Sequence, residues 1–456
     1  MSNGRLSIFL SLFIFGILFI KNLQGAQAVV GYYPAWSKYT FPANEIDFEM
    51  LTHITHAFIW PKSNGDLDMY SSIHYPDLVN ETHQAGKKIL VSVGGWGNCT
   101  HFSGVLTDSA KRQRLIDNLV SFCNEKGYDG VDLDWEYPRN NSDKNNLTQF
   151  VITLNQWLKA NDSTRIVTMA VPAGAWGGQW YDFTAMAPYV EWFGCMTYDF
   201  HGTWTDHAGH NAPLYAPTHE TEGCADDAIR YLKSRNVPGN KIIMGVPFYG
   251  RRFNTSGLYE SSTGGEALNY SEIIPKMDAG WTYHWDALAK VPYLTNSDNS
   301  QLITYDDTVS VRCKCEYARD QGLLGIKIWH IGQDQLDGQQ PLLSTIGAVI
   351  LNSSSISSER VTNAPVPMRI AITSAFPNPF NSGVDIRYSL SYPMDIRVEI
   401  YDILGKRVCC LMNKYKDIGT HHIQFHPDDH LMSGCYFIVL SNRDGLADSY
   451  KVVYLK

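Results

Sequence analysis

A surplus of basic residues is missing from this chain, and so is any basic run. Its 37 Lys and Arg stand against 46 Asp and Glu, a formal charge of −9. That balance excludes the electrostatic footprint of a nucleic-acid binder and suits a neutral or weakly cationic substrate better than a polyanion. Long apolar runs are scarce too. The stretch Leu6–Ile20 covers about 15 residues, short of the roughly 20 that span a bilayer, and no later segment is apolar enough. A disulfide framework is absent: the nine cysteines are odd in number and scattered, leaving room for one or two bridges in an exported protein. Zinc spacing is absent as well, since Cys313 and Cys315 enclose one residue and Cys409 and Cys410 are adjacent. HHIQFHPDDH (421–430) is rich in His and Asp, but the same residues suit an ordinary polar turn. Neither a metal nor a cofactor is expected.

What is present begins with an export leader. Arg5 precedes the apolar run, and Ala26-Gln27-Ala28 is a small-x-small cleavage site, so the mature chain is expected to start at Val29. Loss of residues 1–28 removes Arg5 and Lys21 and takes the charge from −9 to −11. From Val29 onward, short apolar runs alternate with amphipathic segments. The runs lie at 29–36, 53–60, 88–95, 128–136, 166–172, 192–199, 241–250 and 323–331. Between them fall stretches such as 111–127 and 146–161, which predict helices. Eight strands alternating with helices predict a parallel (β/α)8 TIM barrel over 29–347, with a small α+β insertion at about 252–304 after the seventh strand. Residues 348–367 are Ser-rich and end in prolines, which reads as a linker. Residues 368–456 alternate in the manner of a small β-sandwich, without paired acids of their own.

The densest chemistry lies in DGVDLDWEYP (129–138). Asp132, Asp134 and Glu136 stand at i, i+2 and i+4, so a strand points all three to one face, and Val131, Leu133 and Trp135 to the other. Adjacent carboxylates repel, and at least one should hold its proton near neutral pH. In a barrel of this kind chemistry sits at the C-terminal ends of the strands. Glu136 is expected to end the fourth strand, Asp199 the sixth, and Trp329 to lie near the end of the eighth. Acids and aromatics converging on one mouth suit a neutral polymer of sugar rings, whose apolar faces stack on aromatics while hydroxyls meet acids and tyrosines. A solvated acidic face or a calcium site is the plainer alternative for the row.

DGVDLDWE matches the DxxDxDxE pattern of the family 18 glycoside hydrolases, the chitinases and their relatives. SVGG (92–95), MTYD (196–199), PFYGR (247–251), the opening GYYPAW, ITYDD (303–307) and the eighth-strand tryptophan resemble the same family in its own order, over about residues 29–347. The resemblance implies a secreted chitinase in which the substrate supplies the nucleophile. Glu136 would be the general acid, Asp134 would orient the acetamide, Asp132 would share a proton with Asp134, and Tyr198 would hold the acetamide. Trp329 would floor the subsite, with Met196, Asp199, Tyr249 and Arg251 lining the cleft and Tyr33, Phe58 and Trp96 as further candidates. The insertion resembles the module that deepens the cleft of the endo- and exo-chitinase branch. An endo-β-N-acetylglucosaminidase acting on N-glycans shares the motif, and a chitin-binding lectin of the family would lack the acid that Glu136 supplies. One position departs from the pattern: Lys327 stands two before Trp329, where an apolar residue, often Met, is usual, and its parity points it into the barrel. Ser92, Gly94 and Gly95 read as barrel packing rather than chemistry. The tail, with AFPNPFNSGVDIRYSL (375–390) and SGCYFIVL, resembles the sorting domain of bacterial type IX secretion. It implies passage across an outer membrane, with the secretion machinery as partner and release or cell-surface attachment as the outcome. Chitin or chito-oligosaccharides would be the ligand, nucleic acid is excluded, and a monomer is expected.

Overall fold

A computed structural model describes residues 27–217, 223–351, 370–390, 394–403, 405–416, 419–427, 431–442 and 447–456. Eight parallel strands close on themselves: β1 (Ala28–Pro34), β2 (His53–Pro61), β3 (Lys88–Gly94), β4 (Gly130–Asp134), β5 (Ile166–Val171), β6 (Phe193–Cys195), β7 (Ile242–Pro247) and β8 (Gly325–Trp329). Each pairs with its sequence neighbour, and β1 pairs with both β2 and β8, so the sheet has no free edge between barrel strands. The leader lies outside the described residues apart from Gln27 and Ala28. Ala28 is already part of β1, opposite Gly325.

Both faces of every barrel strand are covered, so alternation in the sequence is muted, yet the two faces differ in their packing. On β1 the odd residues Val29 and Tyr33 join the large core between barrel and helices. The even residues Ala28 and Val30 fill the barrel floor with Leu90, Ile166, Trp192 and Ile243. The outer helices follow their caps. Ser109–Lys126 starts where Asp108 accepts from the amides of Ala110 and Lys111, and it ends at Gly127 in the left-handed region (φ 77°). Its apolar stripe, Leu115, Ile116, Leu119, Val120 and Cys123, is buried.

After β7 a five-stranded antiparallel sheet forms, in the order 265–269, 249–254, 301–304, 291–295 and 282–286, with the helix Tyr270–Asp278 beside it. The sheet takes in Tyr249–Asn254, so the insertion opens three residues earlier than position 252. The barrel strands also stop sooner than the apolar runs suggest. β4 ends at Asp134 and β6 at Cys195, which leaves Glu136 and Asp199 in the loops beyond the strands rather than at their last residues. The segment from 370 onward forms two antiparallel sheets of three and four strands around one apolar core that includes Ile386, Ile400, Ile438 and Val452. That is a β-sandwich. The linker region lies almost wholly outside the described residues, as do 428–430 of the His-rich run. No disulfide is formed among the described residues, although the sequence left room for one or two. Cys123, Cys195, Cys224 and Cys315 are instead buried as small apolar side chains.

Candidate active site

The acid row begins inside the barrel. Asp132 is 1% exposed and accepts three hydroxyls: Thr168 Oγ1 at 2.6 Å on Oδ1, with Tyr32 Oη at 2.7 Å and Ser92 Oγ at 2.8 Å on Oδ2. Three other barrel strands thus fix one carboxyl, and none of its hydrogen bonds among the described residues goes to Asp134. Asp134, one step up, is also buried, and its Oδ1 has no hydrogen-bond partner among the described residues. Burial pushes its carboxyl well above the usual range, helped by Glu136 and Asp132 and opposed by the ammonium of Lys327. Glu136 is half-buried at the mouth. Burial raises its carboxyl too, against hydrogen bonds from Tyr137 and the backbone of Trp96. Two neighbouring carboxyls are therefore biased toward holding protons, which is what acid chemistry needs.

Glycines make the approach of β3 to β4 possible. A Cβ on Gly94 (φ 118°) would stand 2.2 Å from the carbonyl oxygen of Asp134, and one on Gly95 (φ 85°) would stand 2.7 Å from the ring of Phe58. Gly95 instead donates its amide to the Asp134 carbonyl at 2.8 Å. Cys99 packs beneath the row, accepting from the amide of Glu136 at 3.2 Å, and burial pushes its thiol up to about 12. It is a wedge rather than a nucleophile.

The aromatic floor lies at the mouth of β8. Trp329 is half-buried, stacked on Phe58 at 5.6 Å and 26°, with Tyr32 edge-on at 5.6 Å. Non-proline cis peptides join Ala57–Phe58, Glu136–Tyr137 and Trp329–His330 around this floor. Tyr198 is half-buried beyond β6, its ring edge-on to Tyr249 at 6.3 Å, and burial raises its phenol well above the usual value. Met196, also half-buried, anchors the same loop by donating its amide to Val171 at 2.9 Å. Asp199 adopts a left-handed backbone (φ 60°) and accepts from Tyr249 Oη at 2.7 Å and Arg251 Nη2 at 2.6 Å. Arg251 in turn lies 4.7 Å over the ring of Trp204.

Glu136, Asp134, Asp132, Tyr198, Trp329, Asp199, Met196, Tyr249, Arg251 and Phe58 are therefore brought to one end of the barrel. Trp96 follows β3 and is 79% exposed, so it stands on the rim. Tyr33 does not belong here. Its parity turns it out of the barrel, where it is fully buried and donates to the carbonyl of Phe41 at 2.6 Å; its neighbour Tyr32 faces the acids. Tyr32, Thr168, Asn211 and Trp204 went unread in the sequence. Asn211 donates to the Tyr249 carbonyl at 3.1 Å and accepts from the Asp199 amide at 3.2 Å. Tyr32 could have been found from its shared parity with Val30, but Asn211 joins the site only through the loop that follows β6.

Residues 28–334 match the family model described as glycosyl hydrolases family 18. The chain belongs to that family. Residues 374–454 match a secretion system C-terminal sorting domain, as the type IX resemblance implied, and the protein is marked for secretion. This family 18 chain is 29% identical over 395 residues to chitinase A1 of Niallia circulans, a match covering 67% of this chain and 56% of that one. It thus spans little more than half the length of that relative. Among solved structures it is similar to the Group IV chitinase of Ostrinia furnacalis in complex with allosamidin, with 29% identity and a TM-score of 0.68 over 72% of this chain and 99% of the other. It is also similar to a family 18 N-acetylglucosaminidase from Paenibacillus barengoltzii, with 28% identity and a TM-score of 0.65 over 71% and 99%.

Proposed function

We propose that this chain is a secreted chitinase that cleaves β-1,4 linkages between N-acetylglucosamine units with retention, using the substrate's own acetamide as nucleophile. One observation carries the reading: two neighbouring carboxyls, buried Asp134 and half-buried Glu136, have their proton affinity raised by burial at the end of the barrel that holds the stacked Trp329 and Phe58. Glu136 gives its proton to the glycosidic oxygen as the bond from that oxygen to the anomeric carbon breaks. The acetamide carbonyl oxygen attacks the anomeric carbon from the opposite face and forms an oxazolinium ion. Asp134 accepts from the acetamide N–H and faces the developing positive charge, while Tyr198 holds the carbonyl end. Water then attacks the same carbon, Glu136 takes its proton, and the ring opens with the original configuration. Asp132, held by its three hydroxyl donors, backs Asp134 from inside the barrel. Met196, Asp199, Tyr249, Arg251 and Trp96 line the path of the chain.

The proposed organisation is a removed leader at 1–28, a catalytic unit at 29–347, a linker at 348–367 and a sorting unit at 368–456. The sorting unit passes the enzyme to the secretion machinery and either leaves or holds it at the cell surface. The likeness to an N-acetylglucosaminidase supports a second reading, release of single sugars. Chito-hexaose treated with the mature protein and with Glu136→Gln tests both. Dimers and trimers from the wild type, and a loss of roughly 10²-fold or more in the variant, are the expected result. Monomer as the first product supports the second reading, and tight binding without cleavage by either protein means a lectin.

A further inference from the structure

β8 carries a cation into the barrel. Lys327 shares the inward parity of Trp329 and is 2% exposed. Gly194 on β6 leaves it room, since a Cβ there would stand 2.7 Å from Lys327 Cδ. Its ammonium lies over two rings, 5.0 Å from the centroid of Tyr32 and 5.9 Å from that of Tyr198. These tyrosines flank the acid row: Tyr32 bonds Asp132, and Tyr198 stands beside the proposed acetamide pocket. The ionisable groups facing Lys327 are Tyr32 on β1, Asp132 and Asp134 on β4, Glu136 beyond it, and Cys195 and Tyr198 on and after β6. Gly245, its register partner on β7, brings no charge.

An ammonium buried this deeply is costly unless an anion answers it, and ring faces recover only part of that cost. Asp134 is the carboxyl whose charge most favours the Lys327 ammonium, and its Oδ1 has no hydrogen-bond partner among the described residues. Asp132 already has three hydroxyl donors. We propose that Lys327 is a positioning residue for the glycosidase reaction: its ammonium is the fixed counter-charge that favours the ionised form of Asp134 against its burial, in place of a proton shared along the row. The proposal rests on the chitinase reading above. A carboxylate already ionised when the oxazolinium forms needs no reorganisation at that moment.

Activity then requires Asp134 ionised and Glu136 protonated, one setting each limb of the pH–rate profile. A nearby cation favours the ionised form of both carboxyls, so removing it moves both limbs toward higher pH. Methionine matches the lysine stem in volume, so Lys327→Met should keep the packing, and Lys327→Gln provides a second neutral variant. The experiment is kcat/KM for chito-hexaose against pH in wild type, K327M and K327Q, with Glu136→Gln alongside. Both limbs of both variants should rise by roughly one pH unit. Limbs that stay in place, whatever the change in rate, overturn the proposal and leave Lys327 a space-filling residue. An active Glu136→Gln overturns the chitinase reading instead.

A measurement that leaves Lys327 intact decides the coupling without turnover. Burial lowers the proton affinity of Lys327, and Asp134 opposes that lowering. With Asp134→Asn the lysine's folded-state pKa falls further below its unfolded value. The associated stability is then present above the unfolded pKa and is lost as pH falls through the folded one. The melting-temperature deficit of D134N against wild type should therefore be larger near pH 7 than near pH 10. A deficit that does not change with pH refutes the coupling.

Discussion

Three hydroxyls converge on Asp132, and each comes from a different barrel strand: Tyr32 from β1, Ser92 from β3 and Thr168 from β5. A buried acceptor that loses a donor costs about 1–3 kcal/mol, so one missing hydroxyl loosens Asp132 without opening the fold. Tyr32→Phe should lower kcat roughly 10- to 100-fold, with KM nearly unchanged and the melting temperature lower by a few degrees; steady-state kinetics on a chito-oligosaccharide reads this directly. The raised proton affinity of Glu136 has its own consequence. Because burial favours the neutral acid, the rate should hold into the pH range where an ordinary glutamate is ionised and fall as pH rises through the residue's raised value. A pH–rate profile whose alkaline limb sits at the ordinary glutamate value contradicts that assignment.

At the scale of strands, the site depends on how closely β3 and β4 meet. Gly94→Ala sets a Cβ against the backbone oxygen of Asp134, which no side-chain rotation relieves, and forces a left-handed backbone on alanine. We expect a loss of about 3 kcal/mol or more and a melting temperature lower by several degrees, with activity falling in parallel. Thermal denaturation checks it. Parity is also where the sequence was most and least informative. The i, i+2, i+4 spacing of Asp132, Asp134 and Glu136 was legible because charges cannot sit on the helix-facing side. Tyr32 and Tyr33 were not told apart by chemistry, since both faces of a barrel strand bury aromatics; the fold turned Tyr33 into the outer core and Tyr32 to the acids. Loop residues such as Asn211 and Trp204 had no periodicity to give them away, for their places depend on a chain path between β6 and β7 that no local pattern encodes.

Across the molecule, barrel and sandwich have separate apolar cores, each built from its own strands. A chain cut before residue 368 should keep the melting temperature and the kcat/KM of the barrel while failing to leave the cell; unchanged export would remove the sorting role. The order of units was readable because the change from strand–helix alternation to dense β alternation is a change of period, whereas their internal details rest on contacts far apart in sequence. The central claim is that the acids of β4 work together with an acetamide carried by the substrate. It is tested most directly by following the anomeric protons of freshly released products by NMR. Attack by the acetamide followed by water inverts the anomeric carbon twice, so β-anomer must appear first and relax to the α/β mixture. α-Anomer at the first time point would mean that water attacks directly, and the oxazolinium route would be wrong.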